Sequence, residues 1–126
     1  MFPNGLLYTK DHEWAKVEGK VATVGISDYA QEQLGELVFV ELPKAGDEFI
    51  QGKELAVVES SKAASDVYAP VTGKVTQVNS QLESKPELIN QDCYRTGWIC
   101  KMDVTDEASL KNLMDSKQYE EYVKGL

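Results

Sequence analysis

The chain has 126 residues, 42% apolar and 27% charged, which is the size and composition of one ordinary globular domain. Its 21 acidic residues outnumber 13 basic ones, and the resulting net charge of −8 argues against nucleic acid and anionic membrane surfaces as partners. No apolar run approaches the length of a membrane-spanning helix. The N-terminus has neither a basic signal-peptide region nor an Arg-rich amphipathic helix, so we expect the chain to stay where it is made.

Most of the chain is predicted to form short strands separated by turns. Alternating apolar residues predict strands over residues 6–9, 13–18, 21–26, 37–42, 48–50, 55–58, 74–78 and 98–102. Ser27 is a suitable N-cap and Gly35 a suitable C-terminal residue for a short helix over residues 28–34. The polar stretch 80–91 is predicted to be a loop with room for one helical turn at 86–89.

The C-terminal part, about residues 105–124, is predicted to be helical. Thr105 or Asp106 would cap a first helix over residues 108–114, and Asp115 or Ser116 would cap a second. Many short strands followed by helices favour a small barrel or sandwich with the helices packed outside it. The chain is therefore predicted to be one mainly β domain over residues 1–126.

The two cysteines are too few for a disulfide framework and are typical of a reducing compartment. With a single histidine in the chain, their spacing matches no zinc site. Cys100 stands in an apolar run and is expected to be a small buried residue. Cys93 is a candidate for an exposed thiol.

The most informative segment surrounds Lys62. Small residues stand on both sides of this lysine, between two strand-like runs, so it is predicted to lie at the tip of a β-hairpin. A lysine in a turn is usually an ordinary solvated residue. Here, however, nothing bulky would obstruct a modifying enzyme, and Glu59 and Asp66 bracket the tip as recognition charges could. Amide formation would remove the charge of the lysine and lengthen its side chain. This pattern favours a carrier over a catalyst.

Residues 59–67, Glu-Ser-Ser-Lys-Ala-Ala-Ser-Asp-Val, closely resemble the lipoylation site of the glycine cleavage system H protein family. Further blocks that resemble this family occur at residues 12–14, 24–31, 34–43, 46–47, 69–73, 86–90 and 97–98, in the family's order and spacing. Three departures are Ser61 where valine is common, Cys93 where proline is usual, and Cys100 where an aliphatic residue is usual. None of them alters the acceptor lysine.

The resemblance implies a lipoyl-domain-like barrel-sandwich hybrid, which is a flattened two-sheet β barrel with a short internal helix and C-terminal helices. It implies that Lys62 carries lipoic acid as N6-lipoyllysine and that the protein has no turnover, catalytic residue or metal of its own. The implied function is to shuttle an aminomethyl group and reducing equivalents, with the cofactor supplying the chemistry.

The resemblance also implies the partners. They are glycine decarboxylase (P protein), aminomethyltransferase (T protein), dihydrolipoamide dehydrogenase (L protein) and a lipoylating enzyme. We expect a monomer in the bacterial cytoplasm, or in the mitochondrial matrix if the chain is a processed eukaryotic one.

A family-based expectation concerns the loaded arm. The aminomethyl adduct hydrolyses in water, so the resemblance implies that the arm folds into a cleft that excludes water. An amine there calls for a carboxylate nearby, and Glu13 and Asp66 are the predicted residues. Without the resemblance, Glu13 would be interpreted as an outward-facing strand residue and Asp66 as an ordinary turn acid.

Three other functions remain open at this stage. A relay that hands lipoate to 2-oxoacid dehydrogenase complexes would use the same residues. A biotin carrier would have methionines beside the lysine, and Ser61 and Ala63 argue against it. An unmodified β domain that serves as a binding scaffold would leave Lys62 as a free amine.

Overall fold

The computed structural model describes residues 2–126. Its strands are β1 (Leu7–Tyr8), β2 (Glu13–Glu18), β3 (Val21–Ile26), β4 (Leu37–Glu41), β5 (Glu48–Phe49), β6 (Glu54–Ser60), β7 (Ala64–Tyr68), β8 (Thr72–Val78) and β9 (Cys100–Asp106). The α-helices are α1 (Asp28–Leu34), α2 (Gln81–Ser84), α3 (Leu88–Asp92) and α4 (Ser116–Lys124), and a 3-10 helix spans Glu107–Asn112.

The strands form two antiparallel sheets. The larger has the order β1-β2-β3-β9-β8-β5, and the smaller has the order β4-β6-β7. Apolar side chains from both sheets meet in one core that includes Val24, Val58, Val75 and Met102. Each of these is at most 1% exposed, and burying such a side chain contributes about 1.5–3 kcal/mol. The predicted mainly β, flattened two-sheet architecture is confirmed.

A glycine and a tryptophan fit together between β2 and β3. Gly25 is paired with Trp14 across the two strands, and a β-carbon placed on Gly25 would lie 2.6 Å from ring atoms of Trp14. The buried indole N–H donates to the carbonyl of Cys93 over 3.1 Å, so its polar group is satisfied. The indole therefore occupies the space that a side chain at position 25 would need.

The C-terminal helix α4 is attached to the first strand through aromatic side chains. Asp115 caps α4 in a capping box with Gln118. The rings of Tyr119 and Tyr8 stack with centroids 4.6 Å apart. The Tyr119 hydroxyl lies 2.7 Å from Nδ1 of His12 and 2.7 Å from Oγ of Ser27. Because the Ser27 hydroxyl also accepts from the N–H of Ala30, the start of α1 and the C-terminal helix share one hydrogen-bond network.

Three local predictions were wrong. The segment 80–91, predicted to be a loop with room for one helical turn at 86–89, contains α2 as well as α3, which begins within that turn and runs to Asp92; the two helices bury Leu82 and Ile89. The last strand begins at Cys100 and continues to Asp106, since Met102 and Val104 point into the core while Asp103 and Thr105 are exposed. The helix that follows is a 3-10 helix ending at Asn112, because Met114 must be extended to exchange backbone hydrogen bonds with Tyr8.

The prediction that Cys93 is an exposed thiol is also wrong. Its side chain, just after α3, is 5% exposed and belongs to the main core, against which Tyr94 also packs. Burial raises the pKa of the Cys93 thiol to about 12, and it raises that of Cys100 to about 12 as well. Both cysteines are therefore small buried residues with little thiolate at neutral pH.

Candidate functional site

Lys62 lies at the tip of the β6–β7 hairpin, as the sequence predicts. The last paired residues before the tip are Glu59 and Ala64. The N–H of Ser60 donates to the carbonyl of Ala63 over 2.8 Å, and the Ser60 hydroxyl accepts from the N–H of Ala63 over 3.2 Å. The serine therefore fixes a tight tip from its side chain and backbone together, with Lys62 exposed at its end.

The Lys62 side chain crosses to the end of helix α1. Gly35 terminates that helix with φ of 83°, a conformation that favours glycine. A β-carbon placed on Gly35 would lie 3.5 Å from Cε and 3.8 Å from Nζ of Lys62. Within residues 2–126, Lys124 is the only cation in an ion pair, so the Lys62 amine has no carboxylate partner. Lys62 therefore presents an accessible amine.

Glu13 is buried rather than facing outward. Its side chain is 1% exposed, and each carboxylate oxygen has one hydrogen-bond donor. The Thr9 hydroxyl donates to Oε1 over 2.5 Å, and the backbone N–H of Tyr68 donates to Oε2 over 3.1 Å. Since β7 is an edge strand, this N–H has no neighbouring strand on its outer side. The Glu13 carboxylate takes that place and connects the two sheets.

Burial raises the pKa of Glu13 from 4.5 to about 7, because the surrounding protein solvates a carboxylate poorly. The hydrogen bonds from Thr9 and Tyr68 act in the opposite direction and offset part of this effect. At neutral pH the carboxyl group therefore holds its proton far more than an exposed glutamate does. An amine placed beside it would favour the ionised form.

The turn between β1 and β2 positions this carboxylate. The Thr9 hydroxyl oxygen accepts from the N–H groups of Asp11 and Glu13 over 3.2 and 3.1 Å. His12 has φ of 74° in this turn and precedes Glu13 directly. Burial lowers the pKa of His12, whose ring lies against Tyr29 and whose Nδ1 is engaged with Tyr119. The histidine thus has a structural position, while Glu13 is the buried carboxylate of the pocket and the exposed Asp11 is a second one.

A pocket of about 200 Å³ opens beside Glu13. Tyr68, Gln51 and Leu113 are among the residues that line it. Gln51 is held in place by hydrogen bonds to the carbonyls of Pro70 and Ser109, and its Oε1 accepts from the Asn112 amide. The 3-10 helix and the residue after it therefore supply one wall of the pocket.

Asp66, the second predicted carboxylate, does not line this pocket. It is exposed on β7, opposite Val57 of β6, and two residues before Tyr68. Residues two apart on a strand share a face, so Asp66 and Tyr68 point the same way. The charge of Asp66 is the largest cause that raises the pKa of the Tyr68 hydroxyl. Asp66 thus lies on the strand between Lys62 and the Glu13 pocket.

Several residues of the pocket were missed in the sequence. They come from four separate segments of the chain, and no local sequence pattern indicates that these segments meet: Thr9, Gln51, Tyr68 and Asn112. One signal was available: a threonine four residues before a glutamate in a short turn is able to bind that turn's N–H groups. Within the part of the chain that the structure describes, no cluster of three or more His, Cys, Asp or Glu could hold a metal ion. In the same residues, no helix is long and apolar enough to cross a membrane.

A two-sheet β domain that presents one unpaired lysine at a tight hairpin tip has the architecture of a carrier domain, in which a prosthetic group is attached to the lysine. Residues 6–126 match the family model described as glycine cleavage H-protein. The chain belongs to the glycine cleavage H-protein family. Proteins of this family are lipoyl carriers and not enzymes, so the chain is a non-catalytic component of glycine cleavage.

Individual relatives agree with this assignment. The chain is 51% identical over 122 residues to the glycine cleavage system H protein of Halothermothrix orenii, which covers 97% of this chain and 95% of that protein. It is 52% identical over 115 residues to the H protein of Thermotoga maritima, covering 91% and 93%. The crystal structure of the H protein from Mycobacterium marinum superposes with a TM-score of 0.89 at 35% identity, covering 98% of this chain and 99% of the other.

Proposed function

We propose that Lys62 carries lipoic acid in amide linkage and that the chain shuttles an aminomethyl group and reducing equivalents in glycine breakdown. The observation that carries this proposal is the position of Lys62, exposed at a tight hairpin tip between the small residues Ser61 and Ala63. Family membership supports the identity of the attached group.

The residues around Lys62 fit such a group. Ser61 and Ala63 flank the lysine and are exposed, so no large side chain stands beside the amine. When attached, the lipoyl group supplies a redox-active disulfide that carries the cargo, and the protein positions it. The hydrogen bonds of Ser60 hold the base of the arm, so that its mobility begins at the lysine side chain.

The proposed partners are glycine decarboxylase, which supplies the aminomethyl group, aminomethyltransferase, which removes it, and dihydrolipoamide dehydrogenase, which takes up the reducing equivalents. Membership in a glycine cleavage family supports these three. The net charge of −8 favours partners with basic docking faces and an association rate that falls with salt.

For the loaded arm, we propose a path along β7 that ends in the Glu13 pocket. Ala64, Asp66 and Tyr68 share one face of this edge strand and lead from the hairpin tip to Glu13. Ala64 offers little obstruction, Asp66 attracts an ammonium group, and the buried Glu13 accepts it at the end. In this pocket the protein walls would cover the amine on one side and reduce its contact with water.

Intact mass spectrometry of the protein from its native cell tests the attachment. The wild type is expected to carry a lipoyl-sized increment that is lost in Lys62→Arg and kept in Lys53→Arg, a matched change at another exposed lysine. An unmodified wild-type mass throughout growth on glycine would contradict the proposal.

The arm path is tested by the rate at which the loaded arm hydrolyses. Glu13→Gln is expected to speed hydrolysis about fivefold or more, since removing a charged partner typically costs more than 1 kcal/mol. Glu18→Gln is the control, as Glu18 is exposed on the same strand. Equal hydrolysis rates in the two variants would show that Glu13 does not protect the loaded arm.

A further inference from the structure

Strand β4 carries an exposed apolar pair that the core does not use. Val38 is 59% exposed and Phe39 is 47% exposed, while their neighbours Leu37 and Val40 are 2% and 3% exposed. Exposed carboxylates stand at both ends of this pair, at Glu36 and Glu41. The outer surface of β4 is therefore an apolar centre between two acidic residues.

A β-bulge explains why two successive side chains face outward. Leu37 pairs with Ser60 and Phe39 pairs with Glu59, so Val38 is an extra residue in β4. In a regular strand, neighbouring side chains would point to opposite faces. β4 is also an edge of its sheet, and a bulge there hinders pairing with a foreign strand. A partner at β4 would therefore recognise its side chains.

This surface adjoins the lysine. The pairing of Leu37 with Ser60 places the start of β4 beside the hairpin tip. Gly35, two residues before β4, lies against Cε and Nζ of Lys62. At its other end, β4 borders a cleft of about 590 Å³ lined by residues that include Phe39, Leu42 and Val78. One continuous strip thus runs from Lys62 across Val38 and Phe39 into the cleft.

We propose that this strip, Gly35 to Leu42, is the docking surface for the acyltransferase that attaches the lipoyl group to Lys62. This inference rests on the proposed function, and it names the surface that the attaching enzyme uses. Before modification, Lys62 has only its own short side chain, which lies against Gly35, so the active site of the enzyme must come to the protein surface at β4.

The covalent step is an ordinary acyl transfer. The unprotonated Nζ attacks the carbonyl carbon of an acyl adenylate or acyl thioester, an N–C bond forms, and the bond to the leaving group breaks. One proton leaves the nitrogen, and nothing is oxidised or reduced. The matching face of the enzyme has an apolar centre with basic residues around it, to meet Val38 and Phe39 and the carboxylates of Glu36 and Glu41. Lys44 also lines the cleft; in the complex it would face either solvent or an acidic residue of the enzyme at the edge of the interface.

The experiment measures how fast a bacterial lipoate ligase, supplied with lipoic acid and ATP, attaches the lipoyl group to the full-length unmodified protein. The product is followed by intact mass spectrometry. Phe39→Ser is expected to lower kcat/KM for the protein substrate about tenfold or more, because apolar anchors in an interface dominate its affinity. Ile50→Ser is the matched control: Ile50 is 65% exposed but follows β5 of the other sheet. Glu41→Lys, which alters no packing, is expected to lower the rate of attachment, and the effect should be larger at low salt. Glu48→Lys on β5 is the charge control and is expected to leave the rate unchanged.

The outcomes are distinct. Wild type that is never modified at Lys62 overturns the proposed function together with this inference. Wild type that is modified, with Phe39→Ser and Glu41→Lys modified equally fast, overturns the inference alone. If the pre-lipoylated variants instead lose only glycine exchange with glycine decarboxylase, that enzyme occupies the surface and the inference is wrong. It is also wrong if Phe39→Ser only converts a wild-type dimer to a monomer, as sedimentation velocity would show.

Discussion

The buried carboxyl group of Glu13 makes the stability of the protein depend on pH, and replacing it with glutamine tests this. Glutamine keeps the shape of a protonated glutamate and an oxygen for the Tyr68 N–H, but it cannot ionise. In the native protein the Glu13 pKa is raised from 4.5 to about 7 by burial. Its protonated form is therefore favoured by folding. The stabilisation is complete below about pH 4.5 and is lost as the pH rises through about 7.

The magnitude follows from the two pKa values. The difference between 4.5 and about 7 corresponds to about 3 kcal/mol, at about 1.36 kcal/mol per pKa unit. Most of this develops between about pH 5 and pH 8. Glu13→Gln is therefore expected to gain about 2–3 kcal/mol in the free energy of unfolding, relative to wild type, over that interval.

The assay is urea unfolding of both proteins at a series of pH values, followed by the fluorescence of the buried Trp14. Glu18→Gln, at an exposed position of the same strand, controls for the loss of one negative charge from an acidic protein. A difference between wild type and Glu13→Gln that does not change with pH would refute the reasoning. So would an equal pH-dependent gain in Glu18→Gln.

Three further predictions concern packing and the thiols. Gly25→Ala is expected to destabilise the protein by about 1–3 kcal/mol in urea unfolding, since its methyl group would lie 2.6 Å from Trp14 ring atoms, while Gly125→Ala, with 3.5 Å to its nearest neighbour, should be close to neutral. Tyr119→Phe is expected to cost about 1–3 kcal/mol because His12 and Ser27 both lose a partner; a thermal transition unchanged from wild type would contradict this. Cys93 and Cys100 are expected to react with a thiol reagent only after unfolding, and rapid labelling of the native protein would show that Cys93 is not buried as described.

Much of the fold could be predicted because it depends on local sequence patterns. The strand alternation in residues 21–26, the N-cap Ser27 and the capping residue Asp115 all depend on neighbours in the sequence, and the structure has them. Local patterns failed where distant contacts decide. Met114 is extended because it pairs with Tyr8, and Cys93 is buried because its side chain packs in the core formed by distant segments.

The candidate site divides in the same way. The position of Lys62 follows from small residues at a hairpin tip, which sequence alone displays. The environment of Glu13 does not, because it needs the edge of one sheet to meet a turn of the other at Tyr68. From residues alone, the strand pattern placed Glu13 outward. Its burial arises from the unpaired N–H that it satisfies, and that N–H exists only in the assembled fold.

The central claim is that this chain, once lipoylated at Lys62, serves glycine breakdown. The most direct measurement is exchange of labelled bicarbonate into the carboxyl group of glycine, catalysed by a bacterial glycine decarboxylase with this protein as the only lipoyl carrier. Protein that intact mass shows to be fully lipoylated is expected to support exchange, whereas unmodified wild type and Lys62→Arg are not. No exchange with the fully lipoylated protein would contradict the account and would favour a role in passing lipoate to other complexes.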